Sequence, residues 1–130
     1  MLADTTLIID IMKNEPDAIQ KAAEIEKRGH TLTVGAPTIF ELYVGLSLTT
    51  KPREEKTKIT AVLSSLPQLP LDYPSASTGG IIYGEKTRSG SKIDPEDAMI
   101  AGIAKANNEK IVTRNTRHFE GIEGVTIEPY

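Results

Sequence analysis

Four residues of the chain could do chemistry together. Asp4 follows a short apolar start, Met1-Leu2-Ala3, and Glu41 lies within Ile39-Phe40-Glu41-Leu42-Tyr43-Val44. Asp97 closes Asp94-Pro95-Glu96-Asp97, and Asn115 follows the run Lys110-Ile-Val-Thr113. Carboxylates in apolar surroundings are costly unless they are paired or bound to a metal. Three in one pocket repel each other and raise each other's pKa, which a divalent cation relieves. Oxygen donors with no cysteine point to a hard ion, Mg²⁺ or Mn²⁺. Each residue also has a plainer reading. Asp4 could cap a helix starting at Thr5, and Asp94 reads as an N-cap with Asp97 as its box partner. Asp10, inside Leu7-Ile-Ile-Asp10-Ile-Met12, could be an exposed helix residue or a salt-bridge partner. Asn115 could be a turn residue.

Elements must bring these groups together, and the pattern supplies them. A short strand over Met1–Ala3 leads to a first helix through Ile11. Glu15-Pro16-Asp17 opens a second helix, with proline in its first turn, ending at Gly29. Thr31–Val34 reads as a strand and Pro37 or Thr38 as a helix start. Ile59, Val62, Leu63 and Leu66 fit a helix over Lys51–Leu66. Gln68–Leu71 is an expected strand. Pro74–Arg88 is an expected helix, though Gly79-Gly80 weakens it by roughly 1 kcal/mol per glycine. A turn precedes a helix from Asp94 through Asn107. Lys110–Thr113 is a strand, a helical turn follows near Arg117, and Val125–Glu128 is the last strand. Strands alternating with helices predict a single α/β domain over residues 1–130. Its fold class is a three-layer α/β/α arrangement around a mostly parallel sheet of four to five strands. Functional sites of such sheets lie beyond the carboxyl ends of the strands, where all four residues fall.

Bulk properties narrow the classes. The 130 residues carry a net charge of −3, two histidines and no cysteine or tryptophan. That excludes disulfides and thiolate metal sites, and gives no global sign of nucleic-acid binding, though local basic patches could supply it. No apolar run reaches the roughly 20 residues of a membrane span. No basic region precedes the N-terminal apolar stretch, so a cytoplasmic protein without a signal peptide is expected. Lys86, Arg88 and Lys92 cluster before Asp94, and Arg114 and Arg117 flank Asn115. These five are candidate contacts to a phosphate backbone, with a solvated basic face as the alternative. His118 could touch phosphate from the site edge. Lys51, Arg53, Lys56 and Lys58 are interrupted by Glu54 and Glu55 and read as the polar side of a helix.

Four segments, in order, resemble the motifs of the PIN-domain family: Met1-Leu-Ala-Asp4-Thr-Thr-Leu-Ile-Ile-Asp10, Thr38-Ile-Phe-Glu41-Leu-Tyr-Val-Gly45, Ile93-Asp-Pro-Glu-Asp97-Ala-Met-Ile-Ala, and Lys110-Ile-Val-Thr-Arg-Asn115-Thr-Arg-His-Phe119. The subgroup resembled is the VapC-like toxins of VapBC toxin–antitoxin pairs. The resemblance implies a Rossmann-like fold and Mg²⁺- or Mn²⁺-dependent hydrolysis of RNA. It makes Asp4, Glu41 and Asp97 the metal-binding acids, with Thr5 and Thr113 orienting them. Asn115 stands where the family often has Asp, which leaves open one metal or two, and Thr6 stands where Asn is frequent. A homodimer and a VapB-like antitoxin are implied partners, with the groove for the antitoxin expected at the Leu42, Tyr43, Leu46 and Leu48 region followed by the next helix, and ordinary core as the alternative reading of that region. The alternatives are a PIN nuclease in RNA processing and a catalytically weak metal- or RNA-binding module of the same fold. A haloacid-type phosphatase would need Asp where Thr6 stands. A receiver domain would need Asp where Val34-Gly35-Ala36 ends a strand.

Overall fold

The structure is a computed structural model that describes residues 1–130. Five short strands form one all-parallel sheet: β1 (Leu2–Ala3), β2 (Thr33–Gly35), β3 (Gln68–Leu69), β4 (Ile111–Thr113) and β5 (Ile127–Pro129). Their spatial order is β3-β2-β1-β4-β5. The strand order therefore reverses between β1 and β4, and this is where an open parallel sheet leaves its crevice. Six α-helices connect the strands: α1 (Thr5–Met12), α2 (Pro16–Lys27), α3 (Ala36–Leu48), α4 (Pro52–Leu63), α5 (Tyr73–Arg88) and α6 (Pro95–Ala106). A single 3₁₀ turn covers Thr116–His118.

Side chains alternate across a strand, so neighbours face opposite layers. Ala3 and Val112 join Leu7, Ile8, Ile25, Leu42 and Ile59 in the core beneath α1–α4. Leu2 and Ile111 join Ile82, Ile100, Ile103, Phe119 and Ile122 beneath α5 and α6. This is the expected three-layer fold, and its sheet is wholly parallel.

Glycine explains why α5 runs unbroken through Gly79-Gly80. A Cβ at Gly79 would stand 2.8 Å from the Ala98 carbonyl oxygen, and one at Gly102 would stand 2.4 Å from that of Ser75. The glycines let α5 and α6 approach at backbone distance, which offsets their poor helix propensity.

Several boundaries differ from expectation. The second strand is Thr33–Gly35, not Thr31–Val34, because its pairing with β1 begins at Thr33 opposite Leu2. α4 stops at Leu63, since the residue before Pro67 is biased away from helix. β3 stops at Leu69, before Pro70, which has no N–H for a ladder. The last strand is Ile127–Pro129 rather than Val125–Glu128, in register with Ile111–Thr113. No helix is long and apolar enough to cross a membrane.

Candidate active site at the β1–β4 crevice

The parallel register of β1 and β4 pairs Ala3 with Val112. One residue further along, Asp4 meets Thr113. The Thr113 hydroxyl donates to Asp4 Oδ2 at 2.5 Å. Thr6 donates to the same oxygen at 2.7 Å, and the Leu7 N–H donates to Oδ1 at 2.9 Å. Asp4 is thus both readings at once: it caps α1 and it is a buried acid at the carboxyl edge of the sheet. Burial pushes its carboxyl above the ordinary value, and the bonds from Thr113, Leu7 and Thr6 oppose that rise.

Asn115 completes the arrangement. Its main-chain N–H donates to Thr113 Oγ1 at 2.9 Å, and its Nδ2 donates to Thr6 Oγ1 at 3.3 Å. The orienting threonines of Asp4 are therefore Thr113, as expected, and Thr6. Thr5 faces elsewhere: its hydroxyl lies 3.0 Å from that of Thr38, linking α1 to α3.

Asp97 sits in the first turn of α6, where the helix dipole favours an acid. Burial pushes its carboxyl up to about 6. His118 opposes that rise, while the charges of Asp94, Asp4 and Glu41 add to it. His118 Nδ1 lies 3.0 Å from Asp97 Oδ2. The imidazole thus meets the carboxylate, a contact that the sequence pattern did not reveal. Asp94 occupies the N-cap position of α6, but its side chain makes no capping bond, contrary to expectation. Its charge instead acts on Asp97.

Glu41, half-buried on α3, faces a residue that sequence reasoning missed. Glu96, in the first turn of α6, stands near enough to Glu41 for the two acids to act on each other. The neighbouring Glu41 carboxyl, then burial and the charges of Asp97 and Asp94, push Glu96 up to about 7. The signal was present in Asp94-Pro95-Glu96-Asp97, where two consecutive acids open one helix.

The basic residues divide. Lys92 and Arg117 border a cleft of about 160 Å³ together with Ile93, Asp94, Asp97 and His118, so they stand at the site. Arg114 instead pairs through Nε with Asp10 Oδ2 at 3.2 Å. Lys86 donates to the Glu120 carbonyl oxygen at 2.8 Å and lines a different cleft, with Lys105 and Gly121. Arg88 is exposed at the end of α5. Asp10 is not an exposed helix residue. It is buried and accepts from Tyr130 at 2.8 Å as well as from Arg114.

The residues expected to form the partner groove divide between core and surface. Leu42 belongs to the core and Leu46 packs against it, while Tyr43 and Leu48 are exposed on α3 together with Phe40 and Val44. An apolar groove of about 610 Å³ lies beside α2 and α4, the latter being the helix that follows α3, walled by Ile11, Ile19, Ile25, Leu32, Val62 and Leu66.

No three Asp, Glu or His side chains converge on a point that an ion could occupy as they stand. The donor chemistry nevertheless fits a hard divalent cation. Asp4, Glu41, Glu96 and Asp97 offer only oxygen, and Asp97 is under the field of Asp4 and Glu41. Asp4 Oδ2 receives two donors and Oδ1 one, so Oδ1 keeps a lone pair for a ligand.

Known proteins resemble this chain over nearly its whole length. A family profile described as PIN domain matches residues 1–124. The "tRNA(fMet)-specific endonuclease VapC" of Shigella flexneri is 30% identical over 129 residues, covering 99% of this chain and 96% of that protein. "Ribonuclease VapC19" of Mycobacterium tuberculosis is 28% identical over 118 residues, covering 91% and 90%. Among solved structures, DNA-bound VapBC from Salmonella typhimurium aligns with a TM-score of 0.88 at 30% identity, covering 98% of this chain and 96% of that one. VapBC2 from Rickettsia felis, bound to a promoter DNA fragment, aligns at 0.90 with 23% identity, covering 99% and 97%. With Asp4 directly after its first strand, at the carboxyl edge of the β1–β4 crevice, the chain belongs to the PIN-domain family, in its VapC group.

Proposed function

We propose that this chain is a Mg²⁺- or Mn²⁺-dependent endoribonuclease, the toxin of a toxin–antitoxin pair. The observation that carries the reading is Asp4, buried at the carboxyl edge of the sheet just past β1 and fixed there by Thr113, Thr6 and the Leu7 N–H. Acids drawn from β1, α3 and α6 share one field there, at the position where parallel sheets place their chemistry.

Asp4, Glu41 and Asp97 would hold the ion. When bound, such an ion supplies Lewis acidity and a water of lowered pKa near neutral pH. The chain's own residues do the rest. Thr6 and Thr113 fix the Asp4 carboxylate, and His118 holds Asp97. Lys92 and Arg117 present positive charge beside Asp97, suited to the phosphates of an RNA backbone. Arg88 stands free for the same role. Arg114 and Lys86 already have partners within the protein.

The VapC names of the relatives support RNA as substrate. The VapBC complexes among the structural neighbours support a VapB-like antitoxin as partner. The groove beside α2 and α4 offers a surface for an amphipathic helix of that partner. A homodimer and a cytoplasmic location belong to the same reading.

The test is cleavage of a panel of structured and single-stranded RNAs, initiator tRNA among them, with Mn²⁺ or Mg²⁺. Cutting that chelator abolishes supports the reading. Well-folded protein that binds RNA and leaves every species intact with either metal would overturn it in favour of a binding module.

A further inference from the structure

We propose that Thr6 and Asn115 form a matched donor–acceptor pair that positions Asp4, with Asn115 acting through Thr6 and not as a ligand. This deepens the metal-dependent reading of the same site and rests on it for its functional consequence.

A hydroxyl has one proton to give and lone pairs to accept with. Both threonine protons go to Asp4 Oδ2, from Thr6 at 2.7 Å and from Thr113 at 2.5 Å. Both threonine oxygens accept from Asn115. Its main-chain N–H reaches Thr113 and its side-chain amide reaches Thr6. Every bond of this ring therefore runs one way, from Asn115 toward Asp4. The ring fills Oδ2 with two donors, while Oδ1 carries only the Leu7 N–H. It thereby decides which oxygen of Asp4 remains open to a cation.

A carboxylate at position 115 breaks this order. It has no proton to give, so it must take the Thr6 proton or stand against the Thr6 oxygen unbonded. Either way Asp4 loses a donor or gains a second negative neighbour. An amide at position 6 removes the conflict, because its two N–H groups can serve both carboxylates at once. The identity required at position 115 thus depends on what stands at position 6.

The test compares wild type, Asn115→Asp, Thr6→Asn and the double variant as a cycle. Each is read in two ways: thermal midpoint in chelator, and Mn²⁺ affinity by calorimetry. In chelator, Asn115→Asp is expected to lower the midpoint by about 3 °C in the Thr6 background. In the Thr6→Asn background the same change is expected to cost about 1 °C or less. Mn²⁺ affinity should fall roughly tenfold for Asn115→Asp alone, the usual cost of disturbing an outer-shell partner. Introduced into Thr6→Asn, it should fall by no more than about threefold. The pairing is overturned if Asn115→Asp costs the same in both backgrounds, or if it alone binds Mn²⁺ as tightly as wild type or tighter. If wild type binds no Mn²⁺, the metal reading fails, and the cycle in chelator still decides the pairing.

Discussion

Tyr130 donates its phenol to Asp10 Oδ2 at 2.8 Å, joining residues 120 positions apart. The same oxygen takes Arg114 Nε at 3.2 Å. Burial and then this bond hold the Tyr130 phenol above its usual pKa. The clasp ties the segment after β5 to α1 and to the end of β4. Tyr130→Phe is expected to lower unfolding free energy by about 1 kcal/mol, one hydrogen bond to a charged acceptor. Asp10→Ala is expected to cost about 2–3 kcal/mol, because it strips both partners of their acceptor. Urea denaturation of the two variants measures both, and equal losses would show that Arg114 contributes nothing.

Gly102 is the tightest point between α5 and α6. A Cβ there would lie 2.4 Å from the Ser75 carbonyl oxygen and 2.6 Å from the Gly79 nitrogen. Backbone cannot rotate aside as a side chain can. Gly102→Ala should therefore force the helices apart at a cost of about 3 kcal/mol. Because α6 carries Asp97, RNA cleavage should fall in folded Gly102→Ala protein as well. Gly80→Ala is the control: nothing lies within 4 Å of its Cβ position, and it should be neutral or slightly stabilising.

Glu128 sets a pH dependence on stability. Arg28 and Lys21 meet its carboxylate at 2.5 and 2.9 Å, and hydrogen bonds from Arg28 and then Lys21 pull its pKa down to about 2. A depressed carboxyl stabilises the folded state fully above its unfolded pKa. That contribution is lost as pH falls through the folded value. The midpoint difference between wild type and Glu128→Gln should hold steady from pH 8 to about 5, at about 3 °C. It should shrink between about pH 4.5 and pH 2. A difference that grew on acidification would contradict the ion-pair account.

Thr113 is fully buried, so isosteric replacement isolates its hydroxyl. Thr113→Val removes the donor to Asp4 and the acceptor for the Asn115 N–H together. Mn²⁺ affinity should drop at least tenfold or so, whereas Thr113→Ser should keep most of it. Calorimetric titration of both variants distinguishes a hydrogen-bonding role from one of packing, in which Val would serve as well as Thr.

Much of this architecture was legible in the residues, for identifiable reasons. Helices α2 and α6 announce themselves through Pro16 and Pro95 in their first turns, and short apolar runs such as Ile111-Val112 mark buried strands. Asp4 and Glu41 were legible as acids that apolar neighbours could not justify, and Asp97 as an acid in the first turn of the helix before the fourth strand. What stayed hidden depends on contacts across the chain. Nothing local joins Asp10 to Tyr130 or to Arg114, whose Nε lies 3.2 Å from Asp10 Oδ2. Thr5 and Thr6 are adjacent and alike, and only the direction in which α1 leaves β1 decides that Thr6 meets Asp4. Thr6 and Asn115 were visible as two separate departures from the family's usual residues. That they touch requires the β1–β4 pairing. Glu96 escaped notice because Asp97 beside it already had a role.

The central claim is that Asp4, Glu41 and Asp97 act together on RNA through a divalent ion. The most direct measurement is single-turnover cleavage of a susceptible RNA by wild type and Asp97→Asn across a Mn²⁺ titration, with RNA binding measured in chelator. The account predicts wild-type cleavage that rises with Mn²⁺ to saturation. It predicts that Asp97→Asn binds RNA within a few-fold of wild type and cuts at least about a hundredfold more slowly. Cleavage by wild type that persists in chelator, or an Asp97→Asn variant that cuts at the wild-type rate, would contradict it.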